Sequence, residues 1–95
     1  MSYIDDLDVD IRELSSGEDF AKFTSKYNLN KTGEDDSRNA TFYTGRLEGN
    51  ILRVNYSWKD PSKAFSIKPD RNYVEAIIED SDGNIIHSIK TMYED

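Results

Sequence analysis

Cysteine is absent from the 95 residues, histidine occurs once and proline twice. Without cysteine there is no disulfide framework, no thiolate metal site and no cysteine nucleophile. The single histidine, His87, excludes histidine dyads and histidine-rich metal sites within one chain, and its place beside Ile85, Ile86 and Ile89 suits a structural or surface role. No apolar run approaches the roughly 18 residues of a membrane-spanning helix, and MSYIDDLDVD lacks the basic and apolar regions of a secretory signal. A cytoplasmic protein without a membrane partner is expected. The five glycines are scattered and build no phosphate-cradling loop. DSDGN at 80–84 resembles the start of a calcium loop, but Ile85 and Thr91 stand where that loop needs glycine and a bidentate glutamate. No cofactor, metal or catalytic residue is assigned, and the chain is read as a non-enzyme.

What is present is charge and aromatic area. Charged residues make up 33% of the chain, and eleven aromatics supply large apolar surface for a core that must be economical. One domain, 1–95, is expected, because two cores would each be too small. The net charge of −7 is unevenly spread: ten acids against four bases in 1–36, three against seven in 37–72, and six against one in 73–95. The overall sign disfavours general affinity for nucleic acid or anionic membrane.

DDLDVDIREL, residues 5–14, fits two periods. As a strand it sets Leu7, Val9 and Ile11 on one side and Asp8, Asp10 and Arg12 on the other; as a helix it aligns Ile4, Leu7, Ile11 and Leu14 behind a Ser2 cap. The modest helix propensity of Asp, Val and Ile favours the strand. Ser15 and Glu18 have capping-box spacing, so a helix is expected over 16–28, burying Phe20, Phe23 and Tyr27. Residues 28–39, rich in Asn, Gly and charge, read as an exposed loop.

Two hairpins follow. A turn at Gly49-Asn50 would oppose Leu47 to Leu52, Gly45 to Val54, Tyr43 to Tyr56 and Thr41 to Trp58, with Arg46 facing Arg53 on the other side. A type I′ turn at Asp82-Gly83 would gather Val74, Ala76, Ile78, Ile85 and Ile89 on one face and pair Glu75 with Lys90. The fold class is α+β: an antiparallel sheet of four to five strands, made of two hairpins and an N-terminal strand, with one helix packed on one face.

The functional expectation is a small acidic protein that binds another protein, in its most specific form an inhibitor that blocks a nucleic-acid-binding enzyme of the anti-restriction, anti-CRISPR or nuclease-immunity type. Its contact residues would be Asp5, Asp6, Asp8, Asp10, Glu34, Asp35 and Asp36. On a strand, alternate carboxylates stand about 6.6 Å apart, a spacing that could follow a groove built for phosphates. The same charges would also serve to guard an edge strand against aggregation. Two alternatives stand beside this one. A nucleic-acid-binding module would use Arg46, Arg53, Asn55, Trp58 and Lys59. An assembly protein would use an open strand edge or the apolar set Tyr73, Ile77, Ile86 and Met92. The unfavourable Arg46–Arg53 opposition would be met by Asp8 and Asp10, by an external anion, or by simple exposure to solvent.

The hairpin pattern puts Val54 at the centre of the apolar face, so Val54→Asp is expected to abolish the cooperative thermal transition; a midpoint equal to that of the native chain would reverse the assignment of the face.

Overall fold

A computed structural model describes residues 2–35, 40–57 and 72–93. Helices α1 (Tyr3–Arg12) and α2 (Gly17–Lys26) precede strands β1 (Asn30–Asp35), β2 (Ala40–Leu47), β3 (Asn50–Ser57), β4 (Asn72–Glu79) and β5 (Ile85–Tyr93). The strands form one antiparallel sheet in chain order, β1-β2-β3-β4-β5. The α+β class and the antiparallel sheet are as expected, but the described residues hold two helices where one is expected.

The N-terminal segment is a helix, not a strand. The Ser2 hydroxyl accepts from the Asp5 N–H at 3.2 Å, Asp5 and Asp6 sit at the positive end of the dipole, and Arg12 sits at the negative end. Leu7, Ile11 and the following Leu14 are buried in the core while Val9 is 47% exposed. Helical spacing therefore won over period-two alternation.

α2 starts one residue later than its expected cap. Ser16, not Ser15, caps it, through the Asp19 N–H at 3.1 Å; the Asp19 carboxylate reaches back to accept from both the Ser15 N–H (3.1 Å) and its hydroxyl (2.7 Å). The helix stops at Lys26 rather than residue 28 because Asn28 takes φ +52°. Asn28 N–H then reaches the Ser25 carbonyl and Leu29 N–H the Thr24 carbonyl, a Schellman ending. Leu29, folded back by that turn, joins the core.

The turn also explains Gly45. A Cβ there would lie 2.8 Å from Leu29 Cδ2 and 3.2 Å from the Tyr27 carbonyl oxygen, so the end of α2 rests directly on the backbone of β2. The expected loop 28–39 is in its first part the edge strand β1. Its side chains are mostly exposed, so it carries no apolar alternation to reveal it.

In the first hairpin the turn is Glu48-Gly49, with φ of +52° and +80°, and Leu47 pairs with Asn50. Gly45 thus opposes Leu52, Tyr43 opposes Val54 and Thr41 opposes Tyr56, two residues away from the expected partners. A two-residue shift preserves the faces. It does not preserve the Arg46–Arg53 opposition: Arg46 faces Ile51 and Arg53 faces Thr44. Trp58 lies outside the described residues.

In the second hairpin Glu75 does oppose Lys90. The turn, however, is not a two-residue type I′. Gly83 N–H donates to the Asp80 carbonyl and Asp80 N–H to the Asn84 carbonyl, Gly83 alone is left-handed at φ +86°, and the Asp80 carboxylate accepts from the N–H groups of Asp82 and Asn84 at 2.9 Å. The register then shifts so that Glu79 opposes Ile85, which is 63% exposed instead of joining the apolar face.

Leu52, Val54, Val74, Ala76 and Ile78 form the covered face of the sheet and have no exposed surface; nor do Leu7 and Ile11 from α1. Phe20 of α2 stacks on Tyr56 at 4.5 Å between ring centroids and meets Tyr43 edge-on at 5.4 Å, while Phe23 lies 4.8 Å from Tyr27. Each fully buried aliphatic side chain contributes about 1.5–3 kcal/mol.

Gly45→Val is expected to destabilise the protein by about 1–3 kcal/mol through overpacking against the α2 ending. A thermal melt reads this as a drop of about 4–8 °C per kcal/mol.

Candidate functional site

Successive helix residues turn by about 100°, so aspartates two apart project to opposite flanks. Asp8 and Asp10 do so. Asp8 leans toward β5, where its Oδ1 lies 2.7 Å from His87 Nε2, and both side chains are largely buried. An ionised carboxylate can only accept, so Nε2 carries the proton in this contact. His87 lies on the helix-covered face opposite Ile78. The pair ties α1 to the sheet edge.

Asp10 leans toward α2. Its Oδ2 accepts from Lys26 Nζ at 2.7 Å and from the Tyr27 hydroxyl. The Asp10 hydrogen bond, outweighing the opposing cost of desolvation, raises the Lys26 ammonium above its ordinary value, and the Asp6 and Glu13 charges add to that shift. Burial is the largest cause of a strong upward shift at the Tyr27 phenol, and Asp10 adds to it. A cleft of about 200 Å³ opens between the helices here, walled by Asp10, Glu13, Asp19, Lys22 and Lys26 over Leu14 and Phe23. With three carboxylates against two ammonium groups, it remains acidic.

Asp5, Asp6 and Glu13 are exposed. Across residues 3–26, seven carboxylates stand against three cations. Of the other acidic residues singled out in sequence, Glu34 pairs with Lys31 within β1, Asp35 ends that strand, and Asp36 lies outside the described residues. The seven therefore do not form one row. Asp8 and Asp10 hold α1 in place, and Asp5 and Asp6 remain outward beside Glu13, which sequence reasoning left out although it sits two turns beyond Asp6.

The basic alternative is also redistributed. Arg53 Nε donates to Glu79 Oε1 at 2.8 Å across the uncovered face of the sheet, and Asn55 lies between Phe42 and Glu75. Neither arginine meets Asp8 or Asp10. Lys59, like Trp58, lies outside the described residues. Among the described residues no three His, Asp or Glu side chains gather at metal-binding distance, and no helix is long and apolar enough to cross a membrane. No family model, curated protein or solved structure matches this chain.

Raised Lys26 and Tyr27 values set the sign of an alkaline effect. The folded state holds these protons more tightly than the unfolded state, so stability is full below about pH 10 and falls as pH rises through the folded values. Asp10→Asn removes the charge behind part of both shifts. Its thermal midpoint is expected to lie below that of the native chain at pH 7 and to decline less steeply above pH 10, as measured by melts across the alkaline range.

Proposed function

We propose that this chain is a non-enzymatic binding protein that engages a basic surface on a partner protein through Asp5 and Asp6 of α1 and Glu13 at its C-terminal cap. One observation carries the reading: these three carboxylates are exposed on a helix whose two flanks are already fastened, through Asp8 to β5 and through Asp10 to α2. A carboxylate set on a fixed helix loses little conformational freedom on binding. From Asp5 to Glu13 the helix rises about 12 Å, the distance one strand of a duplex advances along its axis in three or four nucleotides. The most specific form of the proposal is therefore an inhibitor that occupies the nucleic-acid groove of a restriction, CRISPR or nuclease enzyme.

The nucleic-acid-binding alternative has less support, because Arg53 is neutralised by Glu79 and Arg46 stands across from Ile51 rather than beside a second arginine.

Titrating the native chain into DNA-cleavage assays of those three enzyme types tests the proposal. Inhibition of at least one is expected, weakening as salt rises. An Asp5→Asn, Asp6→Asn, Glu13→Gln variant should need about tenfold more protein, equivalent to about 1.4 kcal/mol, with an unchanged circular dichroism spectrum. Equal potency of the two proteins would remove α1 from the contact, and a direct mobility shift of DNA by the native chain would overturn the reading.

A further inference from the structure

The cleft between α1 and α2 has an apolar floor, Leu14 and Phe23, and charged walls whose groups are unequally committed. Lys26 is held by Asp10 at 2.7 Å, and Lys22 lies 3.7 Å from Glu18 on its own helix, so both ammonium groups already have a carboxylate. The Glu13 carboxylate, at the C-terminal cap of α1, makes no hydrogen bond or ion pair among the described residues. Across from it, Asp19 in the first turn of α2 accepts both Ser15 donors on Oδ2. The Ser15 hydrogen bonds hold the Asp19 carboxyl below its ordinary value, so it is charged at neutral pH. An ionised carboxylate offers about four acceptor sites, and Ser15 does not exhaust them. We propose that this cleft is a socket for one arginine side chain of the partner protein, with the guanidinium between Glu13 and Asp19 and the methylene stem on Leu14 and Phe23. The proposal rests on the reading of the chain as a binder of a basic surface, and it names the side chain that surface presents.

Size, charge and floor each select this occupant. The cleft holds about 200 Å³, room for one long side chain but below the roughly 300–1,000 Å³ of sites that take drug-sized molecules. An anion is disfavoured, because the two cations are already claimed and the uncommitted groups are carboxylates. Two carboxylates on opposite walls need a donor that can bond in two directions at once. Guanidinium is planar, carries five N–H donors and is more weakly hydrated than an ammonium, so it loses less on leaving water for an apolar floor. Its stem covers apolar surface while its head stays at the charged rim, and Phe23 offers a ring to that stem. A lysine would bring a compact, strongly hydrated charge beside two ammonium groups without the second set of donors.

Titration of the isotopically labelled native chain with N-acetyl-arginine amide, followed by amide nuclear magnetic resonance, tests the socket without any enzyme. Saturable shifts are expected at Leu14, Asp19 and Phe23, with N-acetyl-lysine amide binding about tenfold more weakly. Glu13→Gln should weaken the arginine response about tenfold with an unchanged circular dichroism spectrum, and Asp5→Asn, Asp6→Asn should leave it as it is. Equal responses to the two cations, shifts confined to Asp5 and Asp6, or no saturable shift would overturn the proposal. The two readings fail separately. A chain that inhibits a nuclease through Asp5 and Asp6 but shows no arginine-specific shift keeps its acidic helix and loses the socket, whereas arginine-specific binding by a chain that inhibits none of the three enzyme types keeps the socket and removes the inhibitor.

Discussion

The fold depends on the parity of β3. A two-residue turn at Glu48-Gly49, with both residues in the left-handed region, sets Leu47 opposite Asn50 and so sends Leu52, Val54 and Tyr56 to one side of the sheet. β4 inherits that choice through its pairing, which lines up Ile78, Ala76 and Val74 behind the same three residues. Both helices take their places from this face. A slip of one residue would bring Arg53 and Asn55 beneath Phe20 and turn Val54 to water. Burying the guanidinium away from Glu79 would cost several kcal/mol, more than a small domain can tolerate.

The same turn shows how far the fold could be read in sequence. Placing it at Gly49-Asn50 is an error of one residue in position and of two in register, and an even shift leaves every side chain on its own face. The apolar face was therefore legible while the individual pairs were not. Arg46 opposite Arg53 exists only in the shifted register, and without that opposition neither a bound anion nor Asp8 and Asp10 are needed to offset it. The partner of Arg53 is Glu79 on β4, beyond the hairpin, and local turn chemistry carries no information about it. In the second hairpin the Glu75–Lys90 pair was right because it lies beyond the irregularity between Ile78 and Glu79, whereas Ile85 was wrong because it sits within it.

Two elements were misread for opposite reasons. α1 has two overlapping apolar patterns, and the decision came from context that propensity ignores: the Ser2 cap, the dipole-matched charges and a sheet surface able to accept Leu7, Ile11 and Leu14 together. β1 has no apolar pattern, because an edge strand beside the end of β2 has little to bury; only its ladder with β2 defines it. Of the candidate site, the exposure of Asp5 and Asp6 could be read from the composition of the segment. The partners of Asp8 and Asp10 could not, since they lie 79 and 16 residues away in sequence.

The alternation of aspartate with aliphatic residues in DDLDVD has a helical explanation. A two-residue step is about 200° around the axis, so Asp8 and Asp10 fall on opposite flanks of the buried Leu7–Ile11 stripe and reach different elements. Each works as a lateral fastening, one to the sheet edge and one to the neighbouring helix, where a single cluster of four carboxylates would only repel itself. His87, Lys26 and Tyr27 hydrogen-bond to Asp8 and Asp10, which leaves Asp5, Asp6 and Glu13 to face water from a helix fastened on both flanks. A helix held by apolar packing alone could rotate or slide on the sheet and blur any charge pattern it displayed. Fastening at both flanks turns that pattern into a fixed arrangement, which a binding surface requires and which solubility alone does not.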